Sequence, residues 1–527
     1  MRTVEWLGNA LPHPVILFII LTISLIVVSM IGQYFNISAP DPRPPGAKGR
    51  NDDGIIYIVS LLDADGVRKI LSNLVTNFTG FAPLGTVLVS LLGVGIAERS
   101  GLISATLRLI VTKAPAKVTT IAVVFAGIMS NMASELGYVV LIPLSAILFH
   151  SLGRHPLAGL AAAFAGVSGG YSANLVLGTI DPLLSGITQQ AAQIVSSDYI
   201  VGAESNWYFM FVSTFFITLM GYLITEKIVE PQLGKYKGGG FNQDEQSIRN
   251  SSDVTAVEKK ALMLSFLSVL LLSVIVAILV IPEDGILRNQ QTGLISNSPF
   301  LKSIVAFIFI FFSLAGVVYG YTAGTIKNSK DIVDAMTHSM STLGLYLVII
   351  FFASQFVALF SWTNIGQVIA VKGGSFLNSL DLPDSVIFIG FILICAVINL
   401  MIGSASAQWA VTAPIFVPML MMAGYAPEVI QAAYRIGDSV TNIITPMMSY
   451  FGLVMAIVLK YKKDAGVGTL ISMMLPYSIV FLVGWSVFFV IWVFVLNLPV
   501  GPGHRPIISH KVNHTYHNGE YYSPFPG

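Results

Sequence analysis

Residues 427–446 read PEVIQAAYRIGDSVTNIITP, and this stretch decides the fold. Pro427 suits the first position of a helix, where its missing N–H costs nothing. An apolar run follows, then the interruption Gly437-Asp438-Ser439-Val440-Thr441-Asn442, then a second apolar half to Leu459 opened by Thr445-Pro446. A cap-type residue before a proline reads as a new helix start, so residues 427–459 predict one span broken inside the membrane. Residues 156–190 repeat the pattern: Pro156–Val167, the interruption Ser168-Gly169-Gly170-Tyr171-Ser172-Ala173-Asn174, and a second half opened by Asp181-Pro182.

Each broken span is preceded by two short apolar arms around a polar tip. The arms are about Val118–Met129 and Tyr138–Phe149 around residues 130–137, and about Val386–Ile398 and Ala410–Met422 around residues 399–408. Arms of about 13 residues reach only about 20 Å, short of the roughly 30 Å of hydrocarbon. Each pair therefore reads as a re-entrant hairpin, whose tip backbone must be satisfied by protein or by a water-filled cavity. The two regions share a register. Pro143 to Pro156 and Pro414 to Pro427 are each 13 residues, Ala161-Ala162 matches Ala432-Ala433, and Gly166-Val167-Ser168 falls opposite Gly437-Asp438-Ser439. Matched discontinuous helices in two halves are the mark of a secondary transporter.

The rest of the chain agrees. Of 527 residues 54% are hydrophobic and 10% charged, with a mean hydropathy of +0.77; soluble domains carry about 25% charge. That excludes a soluble enzyme and a disordered or fibrous chain. With 28 basic against 27 acidic residues there is no basic stripe for a nucleic acid. The apolar runs are continuous rather than alternating, which excludes an outer-membrane barrel. Uninterrupted spans are Pro14–Ile31, Leu84–Ala97, Trp207–Ile224, Leu262–Ile281, Ser303–Gly320, Leu343–Phe360 and Leu470–Leu496, with an amphipathic helix at Leu102–Thr112. The first is too long for a signal-peptide core. The expected fold is an all-α polytopic membrane protein of about nine transmembrane helices plus two re-entrant hairpins, in inverted repeats with discontinuous helices. The first repeat covers 1–230 (hairpin about 118–150, broken helix about 156–190). A cytoplasmic linker and linking span cover 231–282, and the second repeat covers 283–499 (hairpin about 386–422, broken helix about 427–459). Residues 500–527 read as a disordered tail. Gln33–Asn77, Lys235–Lys260 and Pro282–Lys302 read as aqueous linkers. Charge places the N-terminus in the cytoplasm with Lys113, Arg154, Lys227, Lys237, Lys259, Lys327 and Lys460, and the C-terminus in the periplasm.

Ionisable residues at membrane depth are scarce and functional by default. Here they are Asp181, Arg435 and Asp438, with Glu135 at the first tip as a further candidate. Arg435 and Asp438 either form a structural i,i+3 pair or act as an anion-binding arginine and an acid that titrates or holds a cation. Asp181 either couples ions or only caps its half-helix. Asn131, Ser172, Asn174, Asn399, Thr441 and Asn442 bring hard oxygens to unwound backbone, for a small cation such as Na⁺ near Asn131 and Asn399, for a substrate carboxylate, or for the broken backbone itself. Trp409, directly after the second tip, either stacks an aromatic substrate or packs. Gly166-Val167-Ser168-Gly169-Gly170 fits a hydrolase motif but lies in a span with no histidine at mid-depth. His504, His510, His514 and His517 of the tail lack a designed metal spacing. Cys395 alone permits no internal disulfide.

The strings at 130–184, 398–420 (INLMIGSASAQWAVTAPIFVPML) and 432–452 (AAYRIGDSVTNIITPMMSYFG) resemble the AbgT family of p-aminobenzoyl-glutamate transporters, its sulfonamide-exporting members in particular. The resemblance runs over almost the whole chain. It implies a bowl-shaped homodimer in the bacterial inner membrane, with lipid around it and no cofactor. It implies transport of p-aminobenzoyl-glutamate and export of sulfonamide antimetabolites on a cation gradient of H⁺ or Na⁺. The family's functional positions fall on Asp181, Asn399, Trp409, Pro427, Arg435, Asp438 and Pro446. The first tip reads Ser130-Asn131-Met132 where the family has Ser-Asn-Thr, so residue 132 carries no ligating hydroxyl. On this reading Arg435 holds the substrate's anionic group and Trp409 stacks its aryl ring, with Asn399, Pro427 and Pro446 beside them, while Asp181, Asp438, Asn131, Asn174 and Asn442 serve ion coupling, and Asn131 and Asn399 line the tips. Na⁺-driven uptake of p-aminobenzoyl-glutamate or a dicarboxylate is the alternative.

Overall fold

A computed structural model describes residues 14–42, 50–132, 136–236, 253–295 and 298–502. Glu135, Lys237 and the histidines of the tail lie outside the described residues, as does the expected disordered tail from 503 onward. The chain is a nearly all-helical polytopic membrane protein; among the described residues the one sheet is a two-stranded antiparallel pair, β1 (Ser38–Pro40) and β2 (Ile55–Tyr57), with Ala39 opposite Ile56.

The helices come in a recurring order. The first series is α1 (Pro14–Tyr34), α2 (Ala64–Thr79), α3 (Ala82–Arg99), α4 (Leu102–Thr112), a hairpin of α5 (Thr119–Ser130) and α6 (Ile142–Ser151), an interrupted pair α7 (Pro156–Phe164) and α8 (Ile180–Ala192), and α9 (Trp207–Ile224). After α10 (Ala256–Val280) come α11 (Ile304–Ala323), α12 (Ser329–Ser341), α13 (Gly344–Trp362), α14 (Ile365–Ser379), a hairpin of α15 (Asp384–Asn399) and α16 (Ala405–Met422), an interrupted pair α17 (Pro427–Thr441) and α18 (Phe451–Tyr461), and α19 (Val467–Val490). Both α9 and α19 close in a π-helical turn, Thr225–Val229 and Ile491–Val495. The first spans pack across: α11 lies along α3, and α1 against α13. Each series thus contributes a helix to the framework of the other.

Eight helices among the described residues are long and apolar enough to cross a membrane, and one of them is unexpected. The arm α16 is 18 residues long and begins at Ala405, because Ser404 caps it by accepting from the Ala407 N–H. The small residues Ala405-Ser406-Ala407, assigned to the tip, are absorbed into its first turn. Three short helices were also not anticipated: α2 and the strand pair inside the supposed aqueous linker 33–77, and α12 and α14 beside α13. They are mixed in polarity, so a search for continuous apolar runs passes over them.

The interruptions are displaced from their expected positions. Helix α17 continues through Gly437 to Thr441, and the non-helical stretch is 442–450. Thr445 therefore caps no helix; its hydroxyl donates to the Leu400 carbonyl at 3.0 Å, and α18 starts at Phe451. In the first series α8 starts at Ile180, so Asp181 is inside its first turn rather than at its cap.

The glycines at the matched positions 166 and 437 permit close packing, not a break. A Cβ on Gly166 would sit 2.4 Å from the Val124 carbonyl oxygen of α5, and one on Gly437 would sit 2.6 Å from the Ile392 carbonyl oxygen of α15. Each lets an interrupted helix press against the first arm of its own hairpin. Gly437→Ala is expected to lower the thermal unfolding midpoint in detergent, by a strain of about 1–3 kcal/mol. Gly452→Ala in α18, where nothing lies within 4 Å of the new Cβ, is expected to leave it equal or higher.

The bases of the two hairpins are pinned differently. In the first series Arg154 donates to Glu226 (2.6 Å), to Glu230 (Nε to Oε1 2.9 Å) and to the Thr120 hydroxyl (2.9 Å), tying α5 to the end of α9. Beside it, burial lowers the pKa of His155, whose Nδ1 accepts from the Leu157 N–H at 3.2 Å and caps α7. In the second series Tyr425, at the position matching Arg154, donates to Asp384 at 2.7 Å.

Candidate functional site

The first interruption packs against helix α17. Because α7 unwinds after its π turn Ala165–Gly169, the Ser172 carbonyl has no helical partner and is free to accept from elsewhere. It accepts from Arg435 Nη2 at 2.9 Å. Arg435 Nη1 meets Asp181 Oδ1 at 2.7 Å, and Asp181 Oδ2 accepts from the Gly178 N–H at 2.7 Å. Ser172 N–H in turn donates to Ser439 of α17 at 3.2 Å. The ion pair therefore joins the first series to the second, and its members are 1% and 4% exposed. The i,i+3 pairing of Arg435 with Asp438 does not form. Arg435 reaches across the interface because a carboxylate and a released carbonyl both await it there.

Asp438, one turn further, is fully buried, and neither of its carboxylate oxygens has a hydrogen-bond donor among the described residues. The adjacent Tyr434 hydroxyl donates to the Ala405 carbonyl at 2.6 Å instead. Asn399, at the end of α15, faces the end of α17: its Nδ2, with two protons to give, lies within hydrogen-bond reach of the Asp438 carbonyl (2.6 Å), Asn442 Oδ1 (2.8 Å) and Thr441 Oγ1 (3.0 Å). Its own Oδ1 is buried without a hydrogen-bond partner among the described residues, as are both side-chain amide atoms of Asn131, Ser172 Oγ and Asn174 Oδ1. Asn131 stands at the first tip, whose backbone lies against Gly178. Buried oxygens of this kind are ligands that a hard cation takes, and among the described residues no group of three His, Cys, Asp or Glu converges on a metal position.

Trp409 is fully buried. Its ring stacks on Tyr434 (centroids 4.2 Å apart, planes at 22°), and its Nε1 donates to Thr188 Oγ1 at 2.8 Å. Pro427 opens α17 as expected, whereas Pro446 lies in the non-helical stretch. Ser168, of the hydrolase-like motif, donates to Met448 Sδ.

Sequence reasoning missed Glu428, Gln431, Thr188, Asn206 and Tyr434. The signal was present for two of them: Glu428, Gln431, Arg435, Asp438 and Asn442 recur at intervals of three and four, one polar stripe down an apolar helix. All five are buried. Glu428 accepts from the Tyr199 hydroxyl at 3.1 Å. A separate apolar cleft of about 1050 Å³ lies between α10, α11 and the first hairpin; it reaches Met132 and Leu177 but none of Asp181, Trp409, Arg435 or Asp438.

Two interrupted helix pairs joined by a buried ion pair, each beside a hairpin, have the architecture of a membrane transporter. The chain belongs to the AbgT family, whose model, described as "AbgT putative transporter family", matches residues 1–508. It is 38% identical over 506 residues to the p-aminobenzoyl-glutamate transport protein of Escherichia coli K12, covering 96% of each chain. Among solved structures it is similar to Neisseria gonorrhoeae MtrF, reported as illuminating a class of antimetabolite efflux pumps, with a TM-score of 0.90 and 71% identity over 95% of this chain and 99% of that one. It is also similar to the Alcanivorax borkumensis YdaH transporter, whose topology is described as unusual, with a TM-score of 0.85 and 42% identity over 93% of this chain and all of the other. These relatives are transporters, not enzymes, and this chain is a multi-pass membrane transporter acting on small molecules.

Proposed function

We propose that the protein exports sulfonamide-type antimetabolites and p-aminobenzoate-like or p-aminobenzoyl-glutamate molecules across the bacterial inner membrane, driven by H⁺ or Na⁺. It works as a homodimeric antiporter conferring sulfonamide resistance, with its N-terminus cytoplasmic and its C-terminus periplasmic. The observation that carries the reading is the Arg435–Asp181 pair across the two interruptions with the donorless Asp438 beside it. A buried carboxylate without partners is costly as an anion, so it takes a proton or draws a cation. Entry of either at Asp438 and exit on the other side gives a coupling step. Arg435, in exchanging Asp181 for a substrate carboxylate or sulfonamide anion, gives a binding step. Asn131, Asn174, Asn399 and Asn442 serve the cation, and Trp409 offers its ring to the substrate's aryl group when the second hairpin moves. Similarity to the antimetabolite efflux pump supports the direction.

The test is reconstituted transport of labelled sulfanilamide under separately imposed pH and Na⁺ gradients. Accumulation against the substrate gradient on one of the two supports export, and indifference to both removes the coupled reading. The 38% identity to a p-aminobenzoyl-glutamate transport protein favours a second reading: Na⁺-coupled uptake of that molecule or a dicarboxylate, revealed if only an inward Na⁺ gradient drives flux.

A further inference from the structure

We infer that Thr188 and Gln431 are positioning residues for Trp409, fixing the indole from the opposite half of the molecule and so setting the preference for aryl substrates. The inference rests on the reading of Trp409 as a substrate contact. Trp409 belongs to α16 of the second hairpin, yet its only polar atom is held by Thr188 of α8, in the first series. The Thr188 hydroxyl has a single proton and two acceptors in reach, the Leu184 carbonyl at 2.8 Å and Gln431 Oε1. The Leu184 carbonyl already lies in a helix, whereas Gln431 Oε1 is buried and has no other donor among the described residues; leaving a buried acceptor unmet is the costlier choice. The proton therefore goes to Gln431.

That choice orients everything beyond it. With its oxygen toward Thr188, Gln431 turns its amide nitrogen to Asn206 Oδ1 at 2.8 Å. Asn206 in turn donates its amide to the Glu428 carbonyl at 2.7 Å. The result is one directed chain from the Trp409 N–H through Thr188, Gln431 and Asn206 to a backbone carbonyl. It crosses the second hairpin, both interrupted helices and the loop before α9. Trp409, Thr188, Gln431 and Asn206 are at most 1% exposed, so water does not substitute for a lost member. Tyr434 stacks on one face of the indole and Thr188 holds its edge, which fixes the ring's tilt and rotation together. An aryl group meets a surface set in advance, the condition under which positioning contributes most.

Thr188→Val keeps the shape and removes both hydrogen-bonding functions, while Thr188→Ser keeps both. In proteoliposomes with labelled p-aminobenzoyl-glutamate, Thr188→Val is expected to raise KM about tenfold with kcat little changed, the loss of one buried hydrogen bond read as binding. Thr188→Ser stays within about twofold of the unaltered protein. Thr188→Val should also shift tryptophan emission, and that shift should vanish in a Trp409→Phe background, where the same substitution has nothing left to position. If Trp409→Phe raises KM while Thr188→Val and Gln431→Leu leave it unchanged, the positioning chain is wrong and the Trp409 reading survives. If Trp409→Phe itself transports normally, both fall. Additive KM effects in the double variant also overturn the inference. Should Thr188→Val fail to insert, the same cycle run with Thr188→Ala decides it by the same outcomes.

Discussion

Asp438→Asn is expected to remove the dependence of transport on the driving gradient while leaving the protein folded and at least as stable. The two effects have one cause. Both carboxylate oxygens are fully enclosed and have no donor among the described residues. Replacing the carboxylate by an amide of the same shape therefore forfeits no hydrogen bond and removes a buried charge, whose desolvation is among the larger costs a protein interior bears. An ordinary structural aspartate, held by donors, would behave oppositely and lose stability on this change. For transport, asparagine neither binds and releases a proton nor supplies a negative charge to a cation. Substrate flux should then fall to what the substrate's own gradient drives, and it should be the same with and without an imposed pH or Na⁺ difference. Asp438→Glu, which keeps the charge but lengthens the arm, should retain a reduced, still gradient-dependent flux. The measurement is paired: detergent unfolding temperature and proteoliposome flux with and without each gradient. Persistence of full gradient-driven transport in Asp438→Asn would assign coupling elsewhere, first to Asp181. A stability loss would mean that the carboxylate is held by a donor after all, the adjacent Tyr434 hydroxyl first.

The architecture was legible because it is written in long-range spacing. Prolines 13 residues apart in both halves, paired arms and paired interruptions survive any error of a few residues in helix ends. The boundaries themselves were not legible, for a specific reason in each place. Gly437 looked like a breaker because a glycine inside an apolar run usually lowers helix propensity; its role is steric, set by the Ile392 carbonyl of another helix, and a single helix's sequence does not contain that neighbour. Thr445-Pro446 and Asp181-Pro182 looked like caps because local chemistry allows it, but Asp181 is spent on Arg435 and the Gly178 N–H, and Thr445 on the Leu400 carbonyl. The charged residues of the candidate site stand out by their scarcity in a chain that is 10% charged. Their pairing was not, because Asp181 and Arg435 are 254 residues apart and only the packing of α8 against α17 brings them together. Thr188 and Gln431 escaped for a related reason: uncharged polar residues are common in spans, and only the partner reveals which of them matter.

Arg435→Ala is expected to abolish transport and to destabilise the protein by about 3–5 kcal/mol, the usual cost of removing one member of a buried pair. The guanidinium serves two acceptors at once, Asp181 Oδ1 at 2.7 Å and the Ser172 carbonyl at 2.9 Å. Its removal strands a buried carboxylate and leaves the unwound end of α7 without its donor. Loss of transport alone would thus be uninformative, since a weakened fold gives the same result. The double variant Asp181→Asn/Arg435→Met separates the two. With neither charge present the desolvation cost disappears with the attraction, and pairs replaced in this way are commonly neutral or stabilising. The double variant should therefore unfold close to the unaltered protein, and well above Arg435→Ala, while transport stays absent because nothing remains to hold the substrate's anionic group. Asp181→Asn alone completes the cycle: it leaves Arg435 positively charged with only the Ser172 carbonyl beside it. It should destabilise, yet bind an anionic substrate at least as tightly, since the competing internal carboxylate is gone. If the double variant recovers stability and transport together, the pair is a structural brace between the two interruptions, and the anion-binding role passes to another residue.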